Sequence, residues 1–186
     1  MEAFSVSPLA YAPDIIGGNL RGVGSRLPTA GILLPGAAAR LLNRPILNDA
    51  GALLGLMTIE ENRQLLVGRW VGHCTPDAVV TGMRTALDML TLYPCRAVLS
   101  DGSGATGDWS DLMPWMQYDM LPRLVETGVR FVANVRSPDP AGRLAHQDYA
   151  RFASQYLRIR LFDEPRSAHD WLRQELSGAQ SAAPAR

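Results

Sequence analysis

From Thr75 to Leu176 the chain alternates between stretches of helical periodicity and short apolar runs. That alternation leaves few folds open, because helix-connected strands imply a mostly parallel sheet covered by helices. Thr75 suits an N-cap and Pro76 the first helical position. Val79, Val80, Met83, Leu87 and Leu90 then recur at helical spacing, and Pro94 stops the helix. Residues 97–100 read as a central strand. A helix capped by Asp108 carries Leu112, Trp115, Met116, Met120, Leu124 and Val125. Pro122 predicts a kink or a break into two helices, and Gly128 ends the segment. Residues 129–135 form the next strand. Ser137 opens a helix running to about Phe152, anchored by Leu144 and Phe152. In residues 156–162, Leu157, Ile159 and Leu161 alternate with Arg158 and Arg160, the mark of an exposed or edge strand. A final helix follows Pro165, with Ala168, Trp171, Leu172 and Leu176 on one face.

Ahead of this alternation, Ile46-Leu47-Asn48 reads as a short strand, with a turn at residues 48–51. Residues 53–59 and 64–71 are strand-like and flank the polar run Glu60-Glu61-Asn62-Arg63, which predicts a β-hairpin. The expected fold is α/β: a mixed, mostly parallel sheet of about five strands, an N-terminal hairpin and about four covering helices. Residues 1–44 are rich in proline and glycine without sustained periodicity and are expected to be an irregular extension. The domain is expected over 45–177, with 178–186 as a frayed tail.

Glycines 102, 104 and 107 stand in Asp101-Gly102-Ser103-Gly104-Ala105-Thr106-Gly107-Asp108, the G-x-G-x-x-G spacing of a phosphate-binding turn. The same residues suit a plain strand-to-helix connection. Loops at the carboxyl ends of parallel strands are where ligands normally sit. Ser100, Asp101, Gly102, Ser103, Gly104, Thr106, Gly107 and Asp108 are therefore the candidate ligand- or partner-binding residues, read as a loop. Asp101, Asp108 and Asp111 have the chemistry to hold a cation or to cap turns. Trp109, Trp115 and Tyr118 lie at spacings that line a pocket or fill a core, and His146 and His169 fall on polar helix faces.

Composition narrows the chemistry. All 18 basic residues are arginine, which excludes a Schiff-base lysine, a Walker-type lysine and a lysine general base. The formal net charge is zero, which gives no footprint for nucleic acid. Cys74 and Cys95 form no C-x-x-C pair, so no zinc cage or disulfide framework is indicated and a reducing cytoplasm fits. No secretory signal or bilayer-spanning run is evident, so stable membrane insertion is not expected. No catalytic residue, metal site or cofactor is assigned.

Two resemblances bear on function. Gly104-Ala105-Thr106-Gly107 and Val132-Ala133-Asn134-Val135-Arg136-Ser137-Pro138 resemble parts of reductases with a dinucleotide-binding fold, which implies an NADP-dependent reductase with Arg136 at a 2′-phosphate. The glycine segment follows an internal strand, and Arg136 lies beyond the usual interval of about 20 residues.

The second resemblance spans most of residues 53–175. It is carried in order by Glu60-Glu61-Asn62 before Leu65-Leu66-Val67 and Trp70-Val71-Gly72, by Leu99-Ser100-Asp101, and by Leu121-Pro122-Arg123 before Thr127-Gly128-Val129-Arg130-Phe131. Phe162-Asp163-Glu164 ahead of Ala168, Trp171 and Leu172 completes it. These marks resemble the small bacterial STAS-like proteins, relatives of the anti-sigma-factor antagonist that are grouped with CRAL-TRIO lipid-binding domains. The resemblance implies a non-enzymatic cytoplasmic binding or signalling module. Its partner is a protein or a small apolar ligand, and a lipid carrier is one form of it. Phosphorylated members carry a serine in a D-S-S-G turn. The counterpart here is Asp108-Trp109-Ser110-Asp111, which makes Ser110 the implied phosphorylation site, with tryptophan in place of one serine and aspartate in place of glycine.

Overall fold

The computed structural model describes residues 42–48, 50–60 and 64–181. The expected irregular extension lies outside the described residues up to position 41, and β1 begins at Asn43, slightly before the expected domain start. The strands are β1 (Asn43–Leu47), β2 (Leu53–Glu60), β3 (Leu65–His73), β4 (Ala97–Thr106), β5 (Phe131–Val135) and β6 (Arg158–Phe162). They form one sheet in strict chain order, β1-β2-β3-β4-β5-β6. β1/β2 and β2/β3 are antiparallel, and β3 to β6 run parallel. The sheet therefore has six strands, with β1 added to the expected hairpin.

Local chemistry accounts for the turns. Asn48 Oδ1 accepts from the amides of Ala50 (3.0 Å) and Ala52 (2.8 Å), and Gly51 supplies the left-handed φ of +77° between β1 and β2. Thr75 Oγ1 accepts from Ala78 N at 3.3 Å and caps α1 (Pro76–Leu92) as expected.

The segment after β4 is helical but not one regular helix. A 3₁₀ turn (Ser110–Leu112), one α turn (Met113–Trp115) and a π turn (Met116–Met120) lead into α2 (Leu121–Glu126). The widened turn ends with Leu121 N–H donating to Met116 O, just before Pro122, which has no N–H to offer. The break predicted by Pro122 thus appears as a π turn on its N-terminal side. Gly128, at φ +95°, terminates α2.

α3 (Pro140–Ala153) departs from expectation. Its N-cap is Asp139, whose Oδ1 accepts from Ala141 N at 3.1 Å. Ser137 instead donates its hydroxyl to Ala105 O at 2.6 Å and accepts from Asp139 N. The buried face of α3 is Gly142, Ala145, His146, Tyr149 and Ala153, so Leu144, expected as an anchor, is 63% exposed. Small side chains let this helix lie close to its neighbours. A Cβ on Gly142 would meet Gly107 O at 3.2 Å. α4 (Pro165–Ser181) continues past residue 177, so the helix takes up the first residues of the expected tail. Among the described residues no helix is long and apolar enough to cross a membrane.

Parallel crossovers of one hand between successive strands carry their helices to one face of a sheet. α1, the 110–126 stretch and α3 share one apolar cluster with Leu66, Trp70 and Val132. α4 alone covers the other face, where Ala168, Leu172 and Leu176 meet Leu65, Val67, Leu99, Ala133 and Val135.

Candidate functional site

The expected glycine loop is largely strand. β4 continues through Thr106, and Val71, Gly72 and His73 pair with Gly104, Ala105 and Thr106 after a register shift between Arg69 and Val71. Ser100, Asp101, Gly102, Ser103, Gly104 and Thr106 therefore lie on β4, and Gly107, Asp108 and Trp109 connect it to the helical stretch. The cause is packing. A Cβ on Gly102 would stand 3.0 Å from Val135 O and 3.4 Å from His146 Cε1, and one on Gly104 would stand 3.0 Å from Trp70 O. These glycines permit close approach inside the sheet. Only Gly107 has the left-handed φ, +118°, and its missing side chain leaves room for Cys74 O.

Alternation along β4 splits the segment between two environments. Ser103, Gly104, Thr106, Asp108 and Ser110 are exposed, while Gly102, Ala105, Gly107 and Trp109 are buried. Asp101 turns away from solvent, its Oδ1 accepting from the Ser103 amide (3.1 Å) and hydroxyl (2.7 Å). Asp108 Oδ1 accepts from Ser110 N at 2.9 Å, and this bond holds its carboxyl below the ordinary value. Gly107 N donates to Asp139 Oδ2 at 2.9 Å and ties the end of β4 to the start of α3.

Behind the buried residues lies a partly open cavity of about 80 Å³, between the sheet and the helices that cover the face of Leu66, Trp70 and Val132. It follows β4 from Val98 to Gly107 and is walled mainly by apolar groups, including Met57, Met83, Met116 and Met120. The π turn supplies the last two methionines. Trp70 closes another part of the wall. Its ring stands against the backbone of Gly82 on α1, and its Nε1 donates to Ser100 Oγ at 3.1 Å. Trp109 packs edge-on to His146 at 5.1 Å between centroids.

A few polar groups interrupt the apolar wall. Ser100, Asn134, Ser137, His146 and Tyr149 all line it. Ser100 on β4 pairs with Asn134 on β5 and with Gly68 on β3, so the three sit side by side on the cavity face. His146 Nδ1 meets Gly142 O at 2.8 Å, an arrangement that makes Nδ1 the donor and leaves Nε2 an acceptor. Burial pulls the His146 imidazole below its ordinary value of 6.5, against a smaller opposite effect from that bond. Burial also raises the Cys74 thiol and pushes the Tyr149 hydroxyl far up, so both stay protonated. The wall therefore carries hydrogen-bonding groups without a fixed charge.

Sequence reasoning located β4 and missed what stands across from it. In the sequence Asn134 reads as strand, Ser137 as a helix cap and His146 as part of a polar helix face, and Tyr149 is not singled out. His146 is buried, and His169, expected to be exposed, is part-buried with its Nε2 3.2 Å from Glu60 Oε2. Of the aromatic set, Trp109 lines the cavity, Trp115 packs on the core and Tyr118 is 78% exposed. The one available signal was the run of small residues on α3, which brings a helix close to a sheet.

Arg136 makes a bidentate ion pair with Asp163, with Nε–Oδ1 at 3.0 Å and Nη2–Oδ2 at 2.7 Å. The pair joins the residue after β5 to the residue after β6. With residues 102–106 extended, they form no glycine turn that points helix amides at a pyrophosphate.

The sequence matches no family model and no curated protein. A solved structure, the "Structure of the Anti-Sigma Factor Antagonist SpoIIAA in its Unphosphorylated Form", is similar over 63% of this chain and 96% of its own, at 14% identity and a TM-score of 0.45.

Proposed function

We propose that the protein is a non-catalytic, STAS-like binding module of the cytoplasm whose ligand is a small apolar molecule held behind β4. The observation that carries this reading is the partly open cavity of about 80 Å³ with a largely apolar wall. Protein interiors are normally packed without such space, and an apolar cavity of about 150 Å³ takes up benzene or xenon. The polar groups on the wall are not arranged for catalysis. Ser137 donates to a backbone carbonyl, and His146 is fixed by Gly142 O. The exposed residues Ser103, Gly104, Asp108 and Ser110 alternate with cavity-lining ones on the same segment, and together with Thr106, which is exposed and also lines the cavity, they form the proposed partner-facing rim. In this reading Ser110 is the residue at which a phosphate would alter docking.

Xenon tests the cavity without a guess at the ligand. The wild type should bind it saturably. Ala86→Leu, which adds bulk to the wall from α1, should abolish binding while leaving the melting temperature equal or higher. Absence of saturable xenon binding, or binding unchanged in Ala86→Leu, removes the reading.

A further inference from the structure

We propose that the cavity prefers ligands carrying one uncharged hydrogen-bonding group on an apolar body, and that Asn134 and Tyr149 read that group. An alcohol, aldehyde or ketone fits, and a carboxylate does not. The inference rests on the small-ligand reading above and adds the chemical class of the ligand.

Asn134 is 3% exposed and Tyr149 is 4% exposed, and both line the cavity. Among the described residues, neither the Asn134 amide nor the Tyr149 hydroxyl hydrogen-bonds to another protein group. The neighbouring polar groups are engaged elsewhere: Ser100 Oγ accepts from Trp70, Ser137 holds Ala105 O, and His146 Nδ1 meets Gly142 O. Among the described residues only His169 Nδ1 is both sealed from solvent and unpartnered, so the free polar atoms of Asn134 and Tyr149 border space that a water-sized molecule can reach, and both residues line the cavity. A ligand with a single carbonyl or hydroxyl supplies the missing partner.

The sign of the charge is decided by what the wall lacks. No arginine, aspartate or glutamate lines the cavity. The one basic group, His146, is kept neutral by its burial, so an anion entering the cavity would meet no counter-charge. Body shape is less restricted, since four of the seven methionines form the wall and unbranched thioethers repack readily.

The test uses the full chain with isotope-labelled methionine methyls, read by NMR during titration with n-pentanol, n-hexane and pentanoate. Met116 and Met120 should shift saturably with n-pentanol, while Met89, buried away from the cavity, should not. Pentanoate should bind roughly tenfold or more weakly than n-pentanol. Asn134→Leu should weaken n-pentanol roughly tenfold without weakening n-hexane. Tyr149→Phe, which removes one oxygen atom and preserves the ring, should act in the same direction and carries the comparison if Asn134→Leu does not fold. The proposal is overturned if the variants change n-pentanol and n-hexane alike, or if pentanoate matches n-pentanol. It is also overturned if water already satisfies both groups and neither organic ligand shifts the methionines. Xenon binding with any of these results leaves the cavity reading intact, and its absence removes both.

Discussion

The two faces of one sheet are built differently. On the α4 face a single helix presses Leu172 and Leu176 onto Leu65, Val67, Leu99 and Val135, and the apolar contact is continuous. On the other face, α1 approaches through Gly82 and Ala86 and α3 through Gly142 and Ala145, and methionines and tryptophans reach across what remains. Small residues bring backbones close but leave volume between the points of contact. The close-packed face holds the domain together, and the loosely filled face leaves room for something other than protein.

Three measurements test that contrast. The largest effect is expected on the closed face. Leu172→Ala should lower stability by about 3 kcal/mol in urea denaturation, whereas Met120→Ala, beside existing space, should fall nearer 2 kcal/mol. If the methionine variant is as damaging as the leucine variant, the faces do not differ in packing. Next is pH. Folded His146 titrates below 6.5, while the unfolded chain takes up the proton near that value, so the unfolded state binds more protons below it. Stability should be full above about pH 6.5 and decline as pH falls toward the folded value. His146→Phe should flatten that slope when urea midpoints at pH 7.5 and 5.5 are compared. An unchanged slope would mean that His146 is not kept neutral by the cavity face. The smallest effect belongs to the rim. Ser110→Asp places charge beside Asp108 and Asp111, and should alter capture of a protein partner while changing stability by about 0.5 kcal/mol or less. A change well beyond that size would show that Ser110 supports the fold.

Much of the framework was readable because it follows from local rules. Thr75 and Pro76 open α1, Gly128 closes α2, and the Arg158/Arg160 alternation marks the edge strand β6. What escaped was set by distant neighbours. Glycines 102 and 104 read as a turn, yet they are strand residues opposed by Val135 O, His146 and Trp70 O, groups brought together only by the sheet. On α3, periodicity in large apolar residues pointed to Leu144, while the face that packs is glycine and alanine with a histidine and a tyrosine. The cavity was invisible for the same reason. It is a gap between elements, and no single element carries its pattern.

The strict chain order of the six strands also bears on how the protein forms. Each strand pairs with the one made just before it, so every new pairing closes a short stretch of chain and assembly can proceed in the direction of synthesis. α4 comes last. Until it emerges, the sheet presents Leu65, Val67, Leu99, Ala133 and Val135 to water as one sticky surface. α4 acts as the lock that ends that exposure.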